Sequence, residues 1–181
     1  MGYFAPTFEN PYPSPGWAEI ADFEYLTPLR LYRDAKAGPK RDGEDADYVV
    51  SDDYRVRYRL DGEAREITVP AGMLTDLVSV PWFARWLVDR VGPCLEAAIV
   101  HDFLYIAWQD VAGRGARQED RRFADELMRV AMETAKVGAT VRFVIHSAVR
   151  IFGRRAFEEF DARRYWRADV RALAVVTDRA A

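Results

Sequence analysis

The chain predicts an α+β fold, an N-terminal β-hairpin region packed on a C-terminal bundle of three to four helices. Three observations carry this expectation. YRVRYRL at 54–60 alternates apolar and polar residues, the period-2 sign of a half-buried strand. DGEA then turns the chain and REITVP at 65–70 returns it, which makes a hairpin. After residue 80 the apolar residues recur at helical spacing, with Ala124, Leu127, Met128, Ala131 and Ala135 on one stripe.

Residues 1–17 are Pro-rich and carry Tyr3, Phe4, Phe8, Tyr12 and Trp17, the composition of an extended arm that packs onto something. Residues 18–33 read as a strand or irregular start to the fold, and the charged stretch DAKAGPKRDGEDAD, 34–47, as a surface loop. After the hairpin, AGMLTDLVSV is expected to be loop. Pro81 suits the first turn of a short helix over PWFARWLVDRV, which Gly92-Pro93 would stop.

The remainder reads as helical. Apolar residues fill a helix over 94–109, AGRGAR at 112–117 is a linker, and 118–136 is an amphipathic helix. Gly138 precedes a helix at 139–152, Gly153 is expected to break it, and RRAFEEFDARRYW would form a last helix. The expected divisions are an arm at 1–17, a single α+β domain at 18–167 and a tail at 168–181.

Composition excludes several function classes. Half of the 181 residues are hydrophobic, 30% are charged and the formal net charge is −3, an ordinary globular balance. Among the 26 basic residues only Lys36, Lys40 and Lys136 are lysine, and the arginines are interleaved with acids rather than segregated, so nucleic acid is not an expected partner. Cys94 is the only cysteine, which rules out an intramolecular disulfide or a cysteine-based metal cluster. No stretch approaches the roughly 18 apolar residues of a membrane span. The N-terminus lacks the basic and apolar regions of a signal peptide, so the protein is expected to stay in a reducing compartment or to leave it without a cleaved signal.

The segment that bears chemistry is AAIVHDFLY, 97–105, in which His101 and Asp102 interrupt a run that otherwise reads as core. Buried carboxylates are almost always paired, so this helix needs partners. Adjacent helical residues point about 100° apart, so each of the two needs its own. Tyr105 lies one turn on from His101. Thr75, Asp76 and Ser79 in the loop after the hairpin could reach this helix, as could Asp125 from the next one. Simpler roles also fit. Asp125 could make exposed ion pairs with Arg121 and Arg129, Ser79 could cap a helix, and His101 could be a core histidine bonded to a carbonyl.

VPAGMLTDLVSVP, AAIVHDFLYIAW, DRRFADELMRVAM and AVRIFG, in that order over about residues 48–153, resemble the family known as domain of unknown function 1353. Where that family often has Ser-Arg, this chain has Asp120-Arg121, which keeps the arginine and loses the hydroxyl. The resemblance implies a phage or prophage origin. A second, local resemblance is to the catalytic helix pair of phospholipases A2, in which HDxxY on one helix meets an Asp from another. It implies His101 as the base that activates water and Asp102 as a calcium ligand. Tyr105 and Asp125 would orient the base. Asp76 could add a calcium ligand, although the Gly-rich loop and disulfides of those enzymes have no counterpart here.

Two functions follow from these resemblances. One is a hydrolase, calcium-assisted, acting on a lipid or cell-envelope substrate through His101, Asp125 and Tyr105. Asp102 and Asp76 would hold the metal, with Thr75, Ser79 and Arg121 around them. The other is a non-catalytic virion protein of the tail or of assembly, docked on other phage structural subunits through its N-terminal arm. In that case the same residues form a structural polar network.

Overall fold

The computed structural model describes residues 8–33, 48–75, 94–159, 161–162 and 165–166. Two small antiparallel sheets precede three helices, so the protein is α+β as its sequence predicts. The first sheet has the order β1 (Ile20–Tyr25), β4 (Tyr54–Leu60), β5 (Glu63–Val69), and the second the order β2 (Leu31–Arg33), β3 (Tyr48–Val50), β6 (Leu74–Thr75).

The β4–β5 hairpin forms where the alternation places it. Tyr54, Val56, Tyr58 and Leu60 are buried, while Arg55, Arg57 and Arg59 point to solvent. Registry runs from Tyr54 opposite Val69 to Leu60 opposite Glu63, closed by Asp61 and Gly62 at φ 50° and 85°. Positive φ at both central residues is the turn whose twist matches the strands, which is why Asp-Gly sits there. The Asp61 carboxylate also accepts the backbone N–H groups of Ala18 and Glu19, tying the start of β1 to the hairpin end.

Residues 8–17 lie against the helices. Phe8 packs edge-on against Phe103 and Trp17 against Phe123. Buried Tyr12 donates its hydroxyl to the carbonyl of Leu104, beneath the Arg114 guanidinium.

AGMLTDLVSV is not all loop. Leu74–Thr75 adds a third strand to β3, with Tyr48 opposite Thr75 and Val49 opposite Leu74. Leu74 also donates its N–H to Tyr165 at 2.8 Å, and Met73 bridges Trp166, so the returning chain covers this edge. The expected helix over PWFARWLVDRV lies outside the described residues.

The helices are α1 (Cys94–Ile106), continued by a 3₁₀ turn at Ala107–Asp110, α2 (Gln118–Thr134) and α3 (Ala139–Glu159). Buried residues occur all round α1 because it lies among the sheet, α2 and α3. On α2, Ala124, Leu127, Met128 and Ala131 of the stripe read from sequence are buried, Ala135 just past the helix end is half-buried, and Phe123, outside that stripe, is buried as well. Two expectations are corrected on α3. Gly153 does not break it, and Arg154–Glu159 belong to it rather than to a further helix. Tyr165 and Trp166 instead run back to meet β6, with Trp166 Nε1 donating to Asp110 at 3.2 Å.

Candidate functional site

Asp125 is the point at which all three helices meet. Its side chain is fully buried, on the flank of the α2 stripe that faces both α1 and α3. Oδ1 meets Tyr105 Oη at 2.6 Å and His101 Nε2 at 3.0 Å, both from α1. Oδ2 accepts from Arg121 Nη1, one turn earlier on α2, and from Arg150 Nη1 on α3, each at 3.3 Å. With two donors per oxygen the carboxylate is satisfied by protein alone, the condition on which a buried charge is tolerated.

The helical spacing explains how α1 reaches it. His101 and Tyr105 are four residues apart, so both project toward α2, their ring centroids 4.0 Å apart. Arg121 is nearly buried and does more than pair with Asp125. It also donates to the carbonyls of Val149 and Arg150 on α3, at 3.4 and 3.2 Å, and to the Gln118 side chain at 3.0 Å.

The opposite edge of the imidazole is different. His101 Nδ1 lies 3.9 Å from Asp102 Oδ1, beyond direct hydrogen-bonding range. Asp102 is one-third exposed, and its Oδ2 accepts from Thr75 Oγ1 at 2.9 Å. The short strand β6 thus delivers Thr75, itself buried, to the second carboxylate of the site. His101 has one nitrogen fixed by a buried carboxylate and the other facing a part-exposed one.

Electrostatics follow from this placement. Burial alone would lower the pKa of His101, but the nearby Asp102 carboxylate and the Asp125 carboxylate bonded to Nε2 outweigh it and raise the value above that of a free imidazole. Burial would raise Asp125, yet the hydrogen bond and charge of His101, with help from Tyr105 and Arg121, hold it below the ordinary carboxylate value. Burial and the neighbouring Asp125 charge push the Tyr105 phenol up, so it stays a donor.

The simpler alternative, an exposed ion pair from Asp125 to Arg129, is not what forms. Arg129 instead serves Glu126 at 2.7 Å and Glu133 at 3.4 Å, which also meet His146 and Arg142 of α3. Thr75, His101, Asp102, Tyr105, Arg121 and Asp125 do come together. Asp76 and Ser79 lie outside the described residues. Asp120, where the sequence departs from Ser, is buried in a two-pronged pair with Arg114 at 2.6 and 2.7 Å. Sequence reasoning missed Arg150, which gave no periodicity signal of its own among so many arginines and showed itself only as part of AVRIFG.

Calcium takes about six to eight oxygen ligands. At the site the described residues offer one part-exposed carboxylate, Asp102, and among the described residues no group of three His, Cys, Asp or Glu side chains is placed to hold an ion. They do not by themselves make a calcium site. No helix among the described residues is long and apolar enough to cross a membrane.

A family model described as "Protein of unknown function (DUF1353)" matches residues 48–149, more than half of the chain. The matched span contains Thr75, His101, Asp102, Tyr105, Arg121 and Asp125, and ends one residue before Arg150. No curated protein and no solved structure matches.

Proposed function

The chain belongs to this family of proteins of unknown function (DUF1353), and we propose that it is a hydrolase in which His101 activates water. One observation carries the reading: Asp125 Oδ1 engages both His101 Nε2, at 3.0 Å, and Tyr105 Oη, at 2.6 Å. An acceptor on Nε2 selects the tautomer with its proton there and leaves the Nδ1 lone pair for a proton in transfer. Water on the Nδ1 side would give its proton to that nitrogen and attack an ester carbonyl carbon, and the imidazolium would return the proton to the alcohol oxygen as the ester C–O bond breaks. Asp125 would stabilise that imidazolium, and Tyr105 would hold the carboxylate in place. The resemblance to phospholipase A2 directs the choice of substrate to lipid or cell-envelope esters, and the family resemblance directs the choice of source to a phage or prophage. No step is routed through a metal.

A second reading has its own support. Arg121 binds Asp125 on α2 and two carbonyls of α3, and Asp125 binds α1, so the same cluster pins three helices together. A virion protein would need that and no chemistry.

Hydrolysis separates the two. The full chain is assayed for acyl release from phospholipid, simple esters and peptidoglycan, with and without Ca²⁺, because Asp102 is the one carboxylate of the site left part-exposed. In His101→Gln a donor still reaches toward Asp125, so the fold is expected to persist while hydrolysis falls by at least about a hundredfold. Wild-type protein inactive on every substrate, with or without Ca²⁺, would leave the scaffold reading standing.

A further inference from the structure

α3 turns one face to the core and leaves another bare. Ile145, Ala148 and Phe157 are buried, whereas Phe143 and Ile151 are 71% and 68% exposed. Phe143, Ser147 and Ile151 follow at four-residue steps, so they form one ridge about 12 Å long with a small residue at its centre. Single exposed apolar residues are ordinary on a surface, but two large ones flanking a serine on one ridge form a surface that can complement itself.

The charges on α3 supply the second argument. Its last turn carries Glu158 and Glu159 and no basic residue, so two acids sit at the negative end of their own helix. Arg154 and Arg155, one turn back, hold them at 3.0 and 2.7 Å. Its first turn carries no acid, and exposed Lys136 stands just before it. An antiparallel neighbour would bring acids to that positive end.

We infer that the Phe143–Ser147–Ile151 ridge of α3 is a self-association surface on which a second copy of this chain docks with its own α3 antiparallel. A two-fold axis at Ser147 sets Phe143 of each copy against Ile151 of the other. It also carries Glu158 alongside Lys136 and the start of α3 in the second copy, so the interface is isologous and closes at two. The contact lies on the outer side of α3 and does not depend on whether His101 is catalytic.

Sedimentation of the full chain over about a hundredfold range of concentration tests this. Wild-type protein should shift from the mass of one chain toward that of two. Phe143→Lys and Ile151→Glu should each remain at one chain with melting temperatures close to wild type, since both positions are exposed. Mixed in equal amounts the two variants should associate again, because one of the two symmetric contacts becomes Lys against Glu and the other stays Phe against Ile. Wild type that stays at one chain throughout overturns the inference, including when it co-floats with anionic vesicles, which would assign the ridge to a lipid surface. Well-folded variants that still self-associate, or that fail to associate when mixed, also overturn it.

Discussion

The hydroxyl of Tyr105 on α1 occupies the space that a β-carbon at position 153 on α3 would fill. A Cβ built there meets Tyr105 Oη closer than real Cβ atoms approach a non-bonded neighbour, and lies 3.3 Å from Cε1 and Cζ of the ring. The ring is held in place, because its hydroxyl donates to Asp125 at 2.6 Å and it packs in a T-shaped contact with Phe157, 5.3 Å between centroids. Gly153 is therefore a packing residue of the candidate site rather than a helix stop.

Gly153→Ala should destabilise the protein, although alanine favours a helix by about 0.5–1 kcal/mol. Overpacking a fixed neighbour costs about 1–3 kcal/mol and wins. Tyr105→Phe removes the nearest atom, so Gly153→Ala should be milder in that background. Thermal or urea melts of the two single variants and the double variant measure this coupling, expected at about 0.5 kcal/mol or more. Additive effects would mean that the ring moves freely.

Asp125 and Arg129 should behave as opposites even though they share a helix. Asp125→Ala leaves Arg121, nearly buried, without its carboxylate, and breaking a buried pair costs about 3–5 kcal/mol. Arg129→Ala removes contacts to Glu126 and Glu133, which keep His146 and Arg142 of α3 as partners, and a pair at this partial exposure is worth about 1 kcal/mol or less. Chemical denaturation of the two variants checks the ranking, and a larger loss from Arg129→Ala would contradict the geometry.

How legible the fold was depended on what each residue's role answers to. Arg55, Arg57 and Arg59 alternate with buried Tyr54, Val56, Tyr58 and Leu60, a local pattern that fixes the hairpin without any neighbour. Asp125 could be suspected because it flanks an apolar stripe, and the HDxxY spacing put His101 and Tyr105 on one face of α1. Gly153 was misread because a glycine suggests a local conformational need, whereas its actual constraint comes from Tyr105, far away in sequence. β6 was missed because a strand of two residues has no period, and its partners Tyr48 and Val49 lie on the other side of the β4–β5 hairpin in sequence. Arg150 is defined only by where α3 crosses α2.

Thr75→Val tests whether β6 merely borders the site or positions Asp102. The change keeps shape and removes the hydroxyl that donates to Asp102 Oδ2 at 2.9 Å. Asp102 is one-third exposed, so water can replace the lost donor and stability should fall by about 1 kcal/mol or less. Any hydrolytic activity should fall further than that, because Asp102 flanks the Nδ1 edge of His101. Equal, small effects on melting and on turnover would show that Asp102 needs no help from Thr75.

The pH dependence of stability and of activity should run in opposite directions through His101. Its pKa is raised in the folded protein, so the stability it contributes is fully present below the unfolded value of about 6.5 and is lost as pH rises through the higher folded value. Asp125 is lowered, so its contribution is present above about 3.9 and is lost as pH falls through the folded value. Both contributions are complete between about pH 4 and 6.5, and stability should be greatest there. A general base works only unprotonated, so hydrolysis should instead climb as pH rises through the raised His101 value, above about 6.5. Melting temperatures and initial rates measured on the same samples from pH 4 to about 9 check both slopes. His101→Gln should flatten the decline in melting temperature above neutrality and also weaken the acid limb, because His101 is the main group that holds Asp125 low. If that decline survives in His101→Gln, another group causes it and the Asp125–His101 pair is not the proton-linked element of this fold.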